Sequence, residues 1–150
     1  MKPMPFAQDE FEFSHMLNYL KGKMSVLEIG TRYGESLKRM AEVLHPGARV
    51  VSVDLGQDPH SDDDTLTAWK NTGEWLKKEG FDTHLIQGDS HDPEVMEKVR
   101  NLSPFDFVFI DGDHTTDGVR TDFEEYGKMA FMIGMHDICL KPVQNVWNRV

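Results

Sequence analysis

The chain has 150 residues, 39% of them apolar and 28% charged, a size and balance that suit one globular domain rather than a disordered chain. No apolar run is long enough to cross a bilayer, and no signal-peptide pattern opens the chain. The formal net charge is −10 and the 16 Lys and Arg are scattered rather than striped, which argues against nucleic acid as a partner.

In chain order, the apolar pattern switches between helical spacing and short β-type runs. Phe13, Leu17 and Leu20 mark an opening helix, and SVLEI (25–29) reads as the first strand. Leu37, Met40, Ala41 and Leu44 share one face of the next helix, which His45-Pro46-Gly47 ends. RVVSVD (49–54) is the second strand. Leu66, Trp69, Gly73 and Leu76 mark a helix that Gly80 stops. THLIQGD (83–89) is the third strand, and Asp92-Pro93 opens a helix as N-cap and first helical residue. FDFVFID (105–111) is the most apolar strand and so the central one. Val119, Phe123 and Tyr126 space a further helix, AFMIGMHDI (130–138) gives a fifth strand, and VQNVWNRV closes the chain. Trp69, Trp75 and Trp147 are expected in the core.

This alternation predicts an α/β fold with a mainly parallel sheet covered on both faces. In such sheets, ligands bind beyond the carboxyl ends of the strands. The acidic stretches 58–64 (DPHSDDD) and 122–125 (DFEE) read as solvated surface, and the first lacks the EF-hand pattern. The single cysteine, Cys139, rules out an internal disulfide and fits a reducing cytoplasmic setting.

Polar residues gather at the strand ends. Gly30 and Gly34 flank a turn between the first strand and its helix, and Gly there permits close approach of a ligand to the backbone. Glu28, just before that turn, would attract an ammonium group directly or through water. Asp54 ends the second strand at the spacing of a carboxylate that accepts ribose hydroxyls. Asp89 or the Ser90 backbone could meet an adenine edge. Asp111, Asp113 and His114 follow the fourth strand, and His136-Asp137 follow the fifth. His114 has a reference pKa suited to general-base work. His15, His45, His60, His84 and His91 form no constellation and read as surface.

VLEIGTRYGES (26–36) resembles motif I of the class I S-adenosylmethionine-dependent methyltransferases, VVSVDL resembles the ribose-binding motif that follows, and FDFVFIDGDHTTDGVRTDFEEY resembles the motif IV region. FIDGDH with a later HDI is particularly similar to the small-molecule O-methyltransferase and cephalosporin-hydroxylase-like branch. The resemblance spans roughly residues 24–140. It implies a Rossmann-like three-layer α/β/α sandwich of strand order 3-2-1-4-5. It implies S-adenosyl-L-methionine as cofactor: Glu28, Gly30 and Gly34 framing its methionine portion, Asp54 holding the ribose, Asp89 and Ser90 near adenine, with Thr31, Ser36, Leu55 and Asp111 also among the cofactor-binding residues. In metal-dependent members a divalent cation such as Mg²⁺ is bound, and Asp111 and Asp137 match those positions, with His136 where an acidic or polar ligand is usual. His114 and Asp111 are then the catalytic candidates, and a small molecule carrying a hydroxyl is the substrate.

The sequence departs from the family's pattern near its end. The family's usual sheet has seven strands, and the last two have no room here. The Pro-Gly-Gly type turn before strand five is also missing. Either the sheet is a minimal version, or another subunit completes it, or transfer activity is lost. An unpaired sheet edge favours a homodimer. A non-catalytic binding module is the second reading. A nicotinamide-dependent oxidoreductase is the third, disfavoured because the turn lacks Gly-x-Gly-x-x-Gly spacing.

Overall fold

The computed structural model describes residues 10–57 and 63–149. Five parallel strands form one sheet of order β3-β2-β1-β4-β5: β1 (Ser25–Ile29), β2 (Arg49–Asp54), β3 (Asp82–Gln87), β4 (Phe107–Ile110) and β5 (Ile133–Met135). Six α-helices connect and cover them: α1 (Glu10–Leu20), α2 (Glu35–Ala41), α3 (Thr65–Lys78), α4 (Pro93–Arg100), α5 (Thr116–Tyr126) and α6 (Lys141–Trp147). A single 3₁₀ turn, Gly127–Met129, leads from α5 towards β5. Among the described residues, no helix is long and apolar enough to cross a membrane.

Strand alternation builds the two cores. Leu27 and Ile29 of β1, Val51 and Val53 of β2, and Val108 and Ile110 of β4 face one side. There they pack with Val95 and Val99 of α4, Val119 and Tyr126 of α5, and Val143 and Val146 of α6. Val26, Val50, Phe107 and Phe109 face the other side and pack with Phe13 and Leu20 of α1, Leu37 and Met40 of α2, and Trp69 and Leu76 of α3. Both faces of the three central strands are therefore buried, which explains why they read as near-continuous apolar runs. Glu28 and Ser52 are the exceptions: register pairs them across β1 and β2 on the α1–α3 side.

Helix starts follow local chemistry. Asp92 caps α4 by accepting from Glu94 N–H at 2.8 Å, with Pro93 in the first turn. Thr115 caps α5 by accepting from Gly118 N–H at 3.1 Å.

β1 and β2 match the predicted strands to the residue. Three others are shorter or shifted than predicted. β3 covers 82–87 rather than 83–89. β4 covers 107–110 rather than 105–111, with Phe105 held only by an isolated bridge to Ala130. β5 keeps three residues of the predicted nine. The 3₁₀ turn consumes the chain before it, Phe131 lies 81% exposed, and the backbone turns at Asp137, whose φ is 55°. His136 and Asp137 thus sit in a loop just past the strand. Leu44 is buried as expected, but α2 ends at Ala41 before reaching it. Trp69 is core, whereas Trp147 is 44% exposed because α6 turns that side outward from Val143 and Val146. Most of the acidic stretch 58–64 lies outside the described residues.

Asp106 ties the sheet together at its amino end. Its Oδ2 accepts from Met24 N–H at 2.7 Å and Ser25 N–H at 3.1 Å, joining the start of β1 to the approach to β4. Asp106→Ala is expected to lower unfolding free energy by about 1–3 kcal/mol, the scale for hydrogen bonds to a charged group. Asp106→Asn, which keeps an acceptor, should cost less. Urea titration followed by circular dichroism reads both; equal midpoints for wild type and the alanine variant would remove this tether.

Candidate functional site

A cleft of about 850 Å³ opens across the carboxyl ends of the strands. It is walled by the loop after β1 (Gly30, Thr31, Arg32), the end of β2 (Asp54, Leu55), the turn after β3 (Gly88 to His91), the turn after β4 (Asp111 to Thr115) and the loop after β5 (His136, Asp137). A shallower hollow of about 530 Å³ beside the β3 edge, near Lys77, His84 and Lys98, gathers no comparable set of groups.

The β1 loop is held from below and from the side. Gly30 has φ +80°, and a Cβ on it would lie 2.4 Å from the Asp111 carbonyl oxygen and 2.5 Å from Gly112 Cα. Only glycine lets the tips of β1 and β4 close to this distance. Beneath the loop, Glu28 has 0% exposure. Thr31 donates its hydroxyl to Glu28 Oε2 at 2.9 Å, and Ser36 donates to Oε1. Thr31 Oγ1 and Ser52 Oγ lie 2.5 Å apart, and Trp69 Nε1–H donates to Ser52 at 3.0 Å. A hydrogen-bonded chain therefore runs from α3 through β2 to the carboxyl of β1. From the side, Asp54 Oδ2 accepts from Thr31 N–H at 2.8 Å and Arg32 N–H at 2.9 Å, while Oδ1 accepts from Gly56 N–H at 2.7 Å.

The predicted residues separate into two groups. Gly30, Thr31, Ser36, Asp54, Leu55, Asp89, Ser90, Asp111, His114, His136 and Asp137 line the cleft together. Glu28 and Gly34 do not reach it. Glu28 is enclosed beneath the loop, and Gly34 is the N-cap of α2, where a Cβ would lie 2.6 Å from Thr72 Oγ1.

At the β4–β5 end, acidic and imidazole groups converge. His136 Nδ1 lies 3.0 Å from Asp111 Oδ1 and 3.2 Å from Asp137 Oδ2. His114 Nε2 lies 3.2 Å from Asp137 Oδ2 and 3.5 Å from Asp111 Oδ1. The interaction with Asp111 raises the pKa of both imidazoles above the ordinary histidine value, against the opposing effect of burial; Asp137 adds to the rise. Asp111, His136 and Asp137 each offer one ligand atom within 4.8 Å of the others. The two carboxylate oxygens suit a hard divalent cation of the Mg²⁺ or Mn²⁺ kind, while the imidazole nitrogen is a donor that softer divalent ions favour. Among the described lining residues, Arg32 is the sole Lys or Arg facing several carboxylates.

Two residues depart from the surface reading. His91 lines the cleft, with Nε2 3.2 Å from Asp122 Oδ1. Asp122, in the acidic stretch 122–125, is fully buried because α5 turns it against the tip of β3. Burial pushes its carboxyl up to about 6. Its spacing with Val119 and Tyr126, both buried on α5, was the available signal. The other histidines stay apart: His15 and His45 are exposed, His84 pairs with Asp82 at 2.8 Å, and His60 lies outside the described residues.

A family model described as a methyltransferase domain matches residues 27–131, well over half of the chain. No curated protein matches. Among solved structures, an O-methyltransferase from Bacillus cereus in complex with SAH is 19% identical, with TM-score 0.67, over 97% of this chain and 71% of that one. The O-methyltransferase TomG from Streptomyces achromogenes, in complex with SAM, is 18% identical, with TM-score 0.62, over 95% and 69%. MycE, a methyltransferase from the mycinamycin biosynthetic pathway solved with Mg and SAH, is 24% identical, with TM-score 0.50, over 80% of this chain. The chain spans only 28% of the length of MycE. At these identities the likeness shows the shared fold.

Burial pushes the Glu28 carboxyl up to about 8, against the lowering effect of the Ser36 and Thr31 hydroxyls. An acid raised on folding is ionised in the unfolded chain first, so the folded state loses stability as pH climbs from the unfolded value towards about 8. The wild type minus Glu28→Gln difference in unfolding free energy should therefore fall with pH across that window, with a slope of at most about 1.4 kcal/mol per pH unit. Denaturant titrations at several pH values test this, and a flat difference would mean that Glu28 is ionised throughout.

Proposed function

The chain belongs to the methyltransferase-domain family, and from this we infer an S-adenosylmethionine-dependent methyltransferase that acts on a hydroxyl of a small molecule with help from a divalent cation. The observation that carries the reading is the order of groups along the strand tips: a nucleoside-sized cleft with Asp54 at β2, the Gly30 loop at β1, and the Asp111–His136–Asp137 cluster at β4 and β5.

Each wall of the cleft has a task. Asp54 has up to four acceptor positions and spends three on Thr31, Arg32 and Gly56 N–H groups, which leaves one on Oδ1 for a ribose hydroxyl. Gly30 lets the ligand backbone lie against the loop without a side chain in the way. The carboxylates around the cleft favour a cationic sulfonium over its neutral product. S-adenosylmethionine supplies the electrophilic methyl group, and methyl transfer needs the acceptor oxygen in line with it.

Asp111, His136 and Asp137 would hold the cation, whose charge lowers the pKa of an acceptor hydroxyl. His114, 46% exposed at the mouth, stands beside this cluster and can accept the hydroxyl proton. The carboxylates of Asp111 and Asp137 that raise its pKa would also hold the resulting imidazolium in place.

Calorimetric titration with S-adenosylhomocysteine is expected to show binding, and Asp54→Ala should weaken it by about 1–3 kcal/mol. Unchanged affinity in that variant would take Asp54 out of the site. Methyl transfer to hydroxylated small-molecule acceptors is expected to rise with added Mg²⁺ or Mn²⁺. Asp111→Asn should abolish that rise while leaving S-adenosylhomocysteine binding measurable; activity indifferent to both cation and chelator would remove the metal from the reading.

A further inference from the structure

Two side chains of α5 close on one residue at the tip of β3. Asp122 Oδ1 accepts from the Ser90 hydroxyl at 2.8 Å. One helical turn later, Tyr126 donates its hydroxyl to the Ser90 carbonyl at 2.6 Å. His91, the next residue, brings Nε2 to 3.2 Å from the same Asp122 oxygen. The second Asp122 oxygen, Oδ2, is buried and accepts no hydrogen bond from the described residues. It lies under the cleft floor, since a Cβ on Gly112 would stand 3.5 Å from it.

This arrangement is costly as packing alone. A buried carboxylate with one oxygen unsatisfied destabilises a helix–sheet contact that an apolar residue could fill. What the arrangement achieves is a fixed main chain. Ser90 is gripped at its hydroxyl and its carbonyl, while its N–H meets no acceptor among the described residues. Asp89, beside it, has a carboxylate 63% exposed at the cleft, with Oδ1 turned to the His91 N–H at 2.9 Å. A main-chain donor and a carboxylate acceptor thus stand side by side, two strands along from the Gly30 loop and one along from Asp54.

We propose that Asp122, with Tyr126, is a positioning residue for base recognition: it fixes the Ser90–His91 turn so that the Ser90 N–H and the Asp89 carboxylate meet the ring nitrogen and exocyclic amine of adenine. This rests on the reading that the cleft takes an S-adenosyl ligand with its ribose at Asp54. Adenine presents an acceptor nitrogen next to an amine donor, whereas hypoxanthine puts a carbonyl in place of the amine. A carboxylate facing that carbonyl rejects it. Asp122 touches no ligand; it acts through the geometry of Ser90.

The test compares binding of S-adenosylhomocysteine with that of S-inosylhomocysteine by calorimetry, in wild type, Asp122→Ala, Asp122→Asn and Ser90→Ala. Wild type is expected to prefer the adenine ligand by at least about tenfold, the worth of one hydrogen bond to a charged group. Asp122→Ala should bring the two ligands to within about threefold of each other. Asp122→Asn, which keeps an acceptor for Ser90, should retain most of the preference. Were Asp122→Ala unable to fold, Ser90→Ala decides, since it removes one of the two grips on that residue, and the ratio should fall. Loss of stability alone would not change a ratio between two ligands. A wild-type preference preserved in folded Asp122→Ala, or in Ser90→Ala if that variant decides, overturns the proposal, as does an Asparagine variant that folds yet loses the preference. Equal binding of both ligands by wild type overturns it as well. Failure of wild type to bind either ligand overturns both this proposal and the functional reading beneath it.

Discussion

The crossing of two main chains at Gly30 and Gly112 governs the geometry of the site. β1 and β4 are hydrogen-bonded neighbours, and their tips come together because position 30 carries no Cβ. The loop that results needs support, because Arg32 within it takes a left-handed φ of 57° that a side chain disfavours. Support comes from two carboxyls. Asp54 collects three loop and turn N–H groups, and Glu28 ends a hydrogen-bond chain that begins at Trp69 on α3. Burying Glu28 is expensive, and the same burial raises the pKa of its carboxyl. Its partners offset the cost, and they do so by joining α3, β2, β1 and the loop into one polar unit inside an apolar face.

The rest of the cleft inherits this arrangement. Because all five strands run parallel, their carboxyl ends lie on one side, and every turn beyond them contributes to the same wall. Groups far apart in sequence therefore meet. Asp111 and His136 are 25 residues apart and 3.0 Å distant. The imidazoles of His114 and His136 share the carboxylates of Asp111 and Asp137, so a cation entering among Asp111, His136 and Asp137 would compete with these ion pairs. Such competition links cation binding to proton release.

Much of the fold was legible in the sequence because it depends on periodicity. β1 and β2 are buried on both faces, and their apolar runs begin and end where the strands do. β5 was overestimated because AFMIGM is apolar enough for a strand, while its backbone is diverted by the 3₁₀ turn before it and the bend at Asp137 after it. The cleft residues at strand ends were legible for a topological reason, since parallel order gathers them whatever their spacing. Burial of single carboxyls was not. Glu28 looks like a strand-end ligand until Ser52 and Thr31 are seen against it, and Asp122 looks like part of an acidic surface until α5 is docked on the β3 tip. Those facts depend on cross-strand register and helix rotation, which a one-dimensional pattern does not carry. His91 was missed because the carboxylate nearest its ring, that of Asp122, is equally hidden in the sequence.

The missing Cβ at position 30 also bears on how such a protein can change over generations. Some loop residues around the cleft, among them Arg32, Leu55 and Thr115, are exposed enough to be exchanged one at a time. Position 30 is not, because any side chain there would collide with main-chain atoms of Asp111 and Gly112, which have no rotamer with which to yield. Drift at that point would have to move two strand tips at once, and with them the spacing between the nucleoside wall and the acidic wall. Variation in acceptor preference therefore has an open route through the outer turns and a closed one through the centre.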